Sequence, residues 1–292
     1  MGVAVSGYRP SPRPTFEEAT ALRRGDVVTY TWGDEGSGEV QDWIYVSSAK
    51  IHQLVFGLPP HGSFRHSDEF RTIFAADEVL YVLRGTMMIT DPSSGEAHRV
   101  ETGDAAFFSR DTWHHAHAIG PDPLRVLELF APPPAAGASG TYARSQPLLT
   151  DVVLGDARDL GTFVPGAQRE RADTIRVMRA ADLRWRLEPG SPNPVPVGLF
   201  ASTEHLTAGI TDLYAGQRGG WHTHAGDECG YVLDGTLAVA VDGPDARTWF
   251  ELQPGDGWYV PEGVEHRYQA HEGATRYVFA VAPSYTSTKG RP

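Results

Sequence analysis

The sequence repeats itself at an almost constant distance. The segments "DEVLYVLRGTMMITD" at 77–91 and "DECGYVLDGTLAVAVD" at 227–242 share Asp-Glu, Tyr-Val-Leu and Gly-Thr at an offset of 150. A second pair, 100–115 and 252–267, shares Gly-Asp and a histidine eleven residues after the glycine, at an offset of 152. Because such self-similarity marks a duplicated unit, we expect two copies of one domain in tandem.

Short apolar runs bounded by Gly, Pro and Asp make up most of both copies. Examples are "DVVTYTW", "GTLAVAVDG" and "TRYVFAVAP", which are rich in the Val, Tyr, Phe and Thr typical of strands. Helical periodicity is confined to "TFEEATALRRG" and "RAADLRW". We therefore predict an all-β protein of sandwich or barrel type with a few short helices.

Composition narrows the function. A chain of 292 residues has room for two domains, and 25 Lys and Arg against 37 Asp and Glu give a net charge of −12. Such a charge disfavours a nucleic-acid partner. Cys229 is the only cysteine, and no apolar run is long enough for a membrane span or a signal peptide. We expect a cytoplasmic protein with no membrane partner.

A segment rich in Pro, Ala, Gly and Ser, at 131–147, separates the two copies and is typical of a linker. From it we predict five parts: an N-terminal extension (1–23), a first β-domain (24–133), a linker (134–170), a second β-domain (171–286) and a tail (287–292).

The stretch "WHTHAGDE" in the second copy has the spacing of metal ligands. In a strand, His222 and His224 would lie on one face roughly 6–7 Å apart, so both imidazoles could reach one ion at about 2.1 Å. The turn residues "AGD" would let Glu228 return to the same point. His266 would arrive from a remote strand.

These residues resemble the cupins, a family of small jelly-roll β-barrels. The family's first motif is matched by Gly216, His222, His224, Glu228 and Gly235, and its second by Gly255, Pro261, Gly263 and His266, with Ala270 in place of an Asn. The resemblance covers roughly residues 40–285 and implies two tandem jelly-roll barrels, a bicupin. It also implies that His222, His224, Glu228 and His266 hold one divalent metal ion.

The first copy departs from this pattern. Glu78, Gly85, Gly103 and His114 match it, but Ser109 and Asp111 replace Pro and Gly, and Thr72 and Phe74 stand where the paired histidines belong.

His66 precedes Glu78 by twelve residues, whereas His222 precedes Glu228 by six. An insertion of about six residues would explain this difference, so we predict a second metal site formed by His66, Glu78 and His114, with His61 a weaker candidate. The alternative is that the first barrel has lost its metal and serves as a scaffold or as the surface of a homodimer.

The predicted site suits an enzyme. Three imidazoles and a carboxylate leave open positions on Fe(II), the ion we expect first, or on Mn, Ni, Cu or Zn. The resemblance implies a dioxygenase or other oxygenase that takes O2 and a small oxygen-bearing or aromatic substrate. Glu228 would be a catalytic proton acceptor, and Tyr268, which shares the strand face of His266, a catalytic or substrate contact. A non-redox isomerase, cyclase or decarboxylase and a small-ligand sensor are the alternatives.

Overall fold

The computed structural model describes residues 11–133, 138–149, 174–187, 194–244 and 246–285, and these residues are mostly in strands. No helix in these ranges is long and apolar enough to cross a membrane. The elements up to the predicted linker are β1 (Thr20–Leu22), β2 (Val28–Asp34), β3 (Gly38–Ser47), β4 (His52–Leu58), β5 (Ser63–Phe64), β6 (Asp77–Arg84), β7 (Thr86–Asp91), β8 (Glu96–Glu101), β9 (Ala105–Phe108), β10 (His115–Ala118) and β11 (Leu124–Ala131).

The second half repeats this succession of strands except for β5, which has no counterpart among its strands in the described residues. Its elements are α1 (Ala138–Ser145), β12 (Ile175–Met178), a short 3-10 helix (Ala180–Asp182), β13 (Arg184–Leu187), β14 (Pro196–Ser202), β15 (Thr207–Leu213), β16 (Asp227–Asp234), β17 (Leu237–Asp242), β18 (Arg247–Leu252), β19 (Gly257–Val260), β20 (His266–Ala270) and β21 (Thr275–Ala282).

Each half forms a two-layered antiparallel barrel. In the first, the seven-stranded sheet β12-β9-β6-β11-β4-β3-β2 faces the four-stranded sheet β5-β10-β7-β8. In the second, β1-β19-β16-β21-β15-β14-β13 faces β18-β17-β20. The prediction of two tandem jelly-roll barrels is confirmed.

The two seven-stranded sheets pack against each other, so their central strands are buried on both faces. Side chains alternate between the faces of a strand. Leu80 and Val82 of β6 accordingly point into the first barrel, whereas Val79 and Tyr81 join Val278 and other residues of the second half in a core between the barrels. Only alternate residues of each strand therefore point into the barrel interior. This explains why the candidate ligands on one strand are separated by an even number of positions.

The two barrels exchange their edge strands. Strand β1, from the N-terminal segment, pairs with β19 of the second barrel, and β12, which follows the linker, pairs with β9 of the first. Each exchanged strand is held by the Asp of a repeated Gly-Asp pair. Arg23 lies 2.9 Å from Asp256, and Arg179 lies 2.7 Å from Asp104.

The exchange bears on the predicted division of the chain. Residues 20–22, in the predicted extension, complete the sheet of the second barrel, and residues 175–178, in the predicted second domain, complete the sheet of the first. The predicted boundaries therefore divide the sequence, whereas each sheet contains a strand from beyond its own domain's boundary. The division into five parts remains a proposal. The sequence did not reveal the exchange because the pairing partners lie far apart along the chain.

We expect Leu22→Ala to destabilise the protein by about 2–5 kcal/mol, the usual cost of truncating a buried Leu. Leu22 is only 5% exposed and contributes to the core between the barrels. Val28→Ala is the matched control, because Val28 is 38% exposed and surface substitutions usually change stability by about 0.5 kcal/mol or less. Urea unfolding measures both, and equal midpoints for the two variants would contradict a structural role for β1.

Candidate metal centre

Four side chains converge inside the second barrel. The ligand atoms of His222, His224, Glu228 and His266 all lie within 4.8 Å of one another. The Glu228 carboxylate is 2.7 Å from Nε2 of His266 and 3.2 Å from Nε2 of His224. The backbones of His222 and His266 exchange two hydrogen bonds of 3.0 Å, which fixes the two rings side by side. The structure thus brings together all four predicted ligands.

The backbone orients each imidazole of this group. When Nδ1–H donates to a carbonyl, Nε2 is left with its lone pair directed to the centre, as metal-binding histidines require. The acceptors are the carbonyls of Gly220 for His222 (3.0 Å), Tyr285 for His224 (2.7 Å) and Val264 for His266 (2.9 Å). This arrangement fits a divalent metal ion bound by three Nε2 atoms and one carboxylate.

The local electrostatics favour the ligand forms of these groups. Burial, followed by the neighbouring His266, lowers the pKa of His222 to about 3, so this ring stays neutral. Burial alone would raise the pKa of Glu228, but His224 and His266 lower it well below its usual value. A neutral imidazole and an ionised carboxylate are the forms that bind a metal.

The last glycine of the first motif is required by the backbone. Gly235 has φ of 74°, and a Cβ there would lie 2.1 Å from the carbonyl oxygen of Ala274. Only a residue without a side chain can therefore turn the chain at the end of β16. That turn starts β17, the strand that pairs with β20 and so positions His266.

Tyr268 lies beside the group, as its strand parity predicts. Its ring centroid is 5.6 Å from that of His222, and its hydroxyl accepts a hydrogen bond from Trp258 Nε1 at 3.0 Å. Burial, followed by the charge of Glu228, raises the pKa of Tyr268 well above its usual value. The phenol is therefore a proton-bearing hydrogen-bond donor. Cys229 points the other way, into the core between the barrels.

The cavity over this group is small. It encloses about 270 Å³ of empty space, its open mouth included, and its apolar walls come from Val197, Phe279 and Tyr285 among others.

In the first barrel, the backbone shows which residues replace the paired histidines. The amide of His114 donates to the carbonyl of Thr72 at 3.1 Å, as that of His266 does to His222. The amide of Asp111 donates to the carbonyl of Phe74 at 2.7 Å, as that of Gly263 does to His224. Thr72 and Phe74 therefore occupy the two histidine positions, with no insertion between them and Glu78. Asp111 also keeps the left-handed backbone of the glycine it replaces, with φ of 66° against 75° at Gly263.

His66 was predicted as a metal ligand, and the structure does not place it with Glu78 and His114. Its Nδ1 is 2.7 Å from His115 Nε2, and its Nε2 is 2.8 Å from the carbonyl oxygen of Leu149. The predicted insertion is wrong. Thr72 and Phe74 occupy the histidine positions, so the twelve residues between His66 and Glu78 are not an expanded motif. Within the ranges described, neither His66 nor His61 joins a group of potential ligands.

The third member of the first-barrel group is Glu128, which the sequence analysis missed. Glu78, His114 and Glu128 bring their ligand atoms within 4.8 Å of one another, with Glu78 Oε2 3.8 Å from His114 Nε2. A signal was available. Glu128 is the one charged residue in the interior half of "LRVLELFA", an otherwise apolar strand apart from Arg125.

Comparison with known proteins identifies the family. The cupin domain family matches residues 56–130 and 209–281, which together make up half of the chain. The chain therefore belongs to the cupin family, with two copies of the domain.

Individual relatives share either a short segment or the fold. Acireductone dioxygenase from Rhodopseudomonas palustris strain TIE-1 is 45% identical over 51 residues, 17% of this chain and 30% of that protein. The chain thus matches less than a third of the length of this curated relative. A glyoxylate-induced protein from Pseudomonas aeruginosa has a TM-score of 0.64 at 15% identity, over 98% of this chain and 96% of that one. An oxalate decarboxylase from Lactobacillus farciminis, in complex with formate, has a TM-score of 0.60 at 14% identity, over 95% and 89%.

We expect Asp42→Asn to reduce the loss of stability between pH 5 and pH 8. Burial raises the pKa of Asp42 to about 7, against a hydrogen bond from Trp32 that lowers it. A carboxyl with a raised pKa stabilises the fold fully below its unfolded pKa, and this contribution is lost as the pH rises through 7. The loss for Asp42 is on the order of a few kcal/mol. Thermal unfolding of chelator-treated protein at both pH values tests this, with the exposed Asp26→Asn as the control. An identical pH dependence in wild type and Asp42→Asn would contradict it.

Proposed function

We propose that the second barrel is the active site of a metal-dependent oxygenase acting on a small molecule that carries oxygen atoms or an aromatic ring. The observation that carries the proposal is the shared orientation of three imidazoles by backbone carbonyls, with Glu228 between two of them. A site that only stabilises the fold usually closes its ligand shell with Cys or His. Here one carboxylate and a solvent-accessible cavity accompany the three imidazoles.

A redox-active divalent ion bound by His222, His224, Glu228 and His266 would supply electron transfer between substrate and O2. Fe(II) is the ion we propose, because this mixed imidazole and carboxylate set suits it; Mn, Ni, Cu and Zn are the alternatives.

The protein's own groups would bind the substrate and move protons. The Glu228 carboxylate is the ionised group placed to accept a proton, at Oε2, which lies 2.7 Å from His266 Nε2 at the centre of the group. Tyr268 would donate a hydrogen bond to a substrate oxygen or to Glu228, since its own proton is held tightly. The apolar walls would exclude water from the reacting atoms.

The size of the cavity supports a small substrate. It encloses about 270 Å³ of empty space even with its open mouth included, which leaves room only for a small molecule near the four ligands.

A non-redox reaction, such as a decarboxylation, is the second candidate. A metal acting as a Lewis acid could serve it with the same ligands. The fold shared with the Lactobacillus farciminis oxalate decarboxylase leaves this candidate open, since one fold hosts many reactions.

We expect the purified protein to bind about one divalent metal ion in the second barrel and to lose it in His224→Ala and in His266→Ala, because each change removes one of four ligands. Elemental analysis after reconstitution measures the content. His271→Ala is the matched control, because His271 is an exposed histidine of the same barrel. Undiminished metal in both ligand variants would disprove the assignment.

The predicted second ion in the first barrel would, without His66, depend on Glu78, His114 and Glu128. A content near two per chain that falls to near one in Glu78→Ala would support it, and a content that never exceeds one would leave that barrel without metal.

Exchange of the ion decides between the two reactions. We expect the Fe(II)-loaded protein to consume O2 with its substrate and the Zn(II)-loaded protein to consume none, because Zn(II) has no accessible redox change. An oxygen electrode measures this with a panel of catechols, flavonols, β-diketones, hydroxy acids and 2-oxo acids, alongside product analysis under anaerobic conditions. Turnover that proceeds equally well without O2 or with Zn(II) would favour the decarboxylase class.

A further inference from the structure

The first barrel contains the larger of the two cavities. It encloses about 800 Å³ of empty space, its mouth included, against about 270 Å³ in the second barrel. Seven aromatic side chains contribute to its walls, among them Trp32, Phe70 and Phe74. Pockets for small organic ligands are mostly apolar with a few placed polar groups, as this wall is.

Strand pairing shows where the polar groups of this cavity have moved. Phe130 pairs with Glu78 as Val281 pairs with Glu228. Glu128, two residues before Phe130, therefore occupies the position that Phe279 has in the second barrel.

The same counting, continued one strand further, places Asp42 where the second barrel has Val197. Thr72 and Phe74 meanwhile replace the paired histidines. Relative to the second barrel, the first barrel has thus lost two imidazoles and gained two carboxyl groups, one on β11 and one on β3.

The carboxyl groups of this wall are buried. Glu128 is only 7% exposed and contributes to the cavity wall beside Glu78, whose Oε2 is buried without a hydrogen bond. Asp42 is 6% exposed and receives one hydrogen bond, from Trp32 Nε1 at 2.9 Å. Nearby, Thr72 Oγ1 and His52 Nδ1 are also buried without a hydrogen bond. Buried polar atoms without partners are costly, so a ligand that supplies donors would relieve that cost.

No basic side chain of the described cavity wall is directed to the two carboxyl groups by a hydrogen bond. Arg71 is the one Lys or Arg among these lining residues, and its Nη1 donates to the carbonyl of Gln146 at 2.7 Å and to that of Ala143 at 3.3 Å. Glu69 also lines the cavity, but its carboxylate is paired with Arg144 at 3.1 Å. The wall therefore combines carboxyl groups with aromatic faces, the two features that attract an organic cation.

We propose that the first barrel binds a small organic cation whose ammonium group lies against Glu128 and Asp42 and whose carbon skeleton packs on the aromatic wall. A metal ion is the less suitable occupant. Thr72 and Phe74 supply a hydroxyl and a phenyl ring where the second barrel has two imidazoles, so within the described residues a metal ion would depend on Glu78, His114 and Glu128, beside a largely aromatic wall.

Isothermal titration with benzylammonium and with benzyl alcohol tests the proposal, because the two probes have nearly the same shape and differ in charge. We expect benzylammonium to bind at one site per chain, at least tenfold more tightly than benzyl alcohol. Glu128→Gln preserves the side-chain shape and should remove most of this preference, as should Asp42→Asn. Thermal unfolding of each variant checks that it is folded.

Glu228→Gln is the matched control, since it changes the corresponding buried carboxylate of the second barrel. It should lower metal content and leave benzylammonium binding unchanged, which separates this proposal from the proposed function. The proposal is overturned by equal affinity for the two probes, by a preference that survives in both first-barrel variants, or by no binding of benzylammonium, butylammonium or tetramethylammonium. Binding of Mn(II) or Zn(II) that depends on Glu128 and displaces benzylammonium would overturn it in favour of a metal ion.

Discussion

Burial of the central strands on both faces is the constraint on which both sites depend. Strands β6 and β16 are covered on one side by their own barrel and on the other by the core between the barrels. A glutamate at the start of either strand is therefore removed from water, and an isolated buried carboxylate is costly. In the second barrel the neighbours of Glu228 lower its pKa, whereas burial and the charge of Glu128 raise the pKa of Glu78 well above its usual value. One position in the fold thus has opposite protonation tendencies in the two halves.

Much of this architecture could be predicted from the sequence, because the duplicated motifs record local turns and strand parity. The positions of His222 and Glu228 follow from strand alternation and one tight turn, and these two features depend only on residues close in sequence. The exchange of β1 and β12 and the contribution of Glu128 could not be predicted in the same way. Both depend on which strands become neighbours, and pairing between distant segments leaves no periodic signal in a single sequence. The prediction that His66 is a ligand was wrong for a related reason. Its spacing from Glu78 was interpreted as an insertion in the motif, but the backbone contains no insertion there.

The two halves show how a duplicated fold can diverge without losing its backbone. Asp111 adopts the same backbone conformation as Gly263, and the amide of His114 donates to the carbonyl of Thr72 as that of His266 does to His222. Because the main chain is preserved, a change of a few inward-facing side chains is enough to change what a barrel can bind. The chemistry of each interior can therefore vary while the packing between the sheets is maintained.

The exchanged strands make the two barrels inseparable as products of simple cleavage. A cut within 134–170 would give an N-terminal fragment that carries β1 but lacks β12, so that β9 would become an unpaired edge. The C-terminal fragment would carry β12 with nothing to complete and would expose β19. Unpaired edges of this kind invite pairing with other chains. A gene fragment that encodes one barrel alone would therefore produce a protein that aggregates. This favours inheritance of the two barrels as one unit.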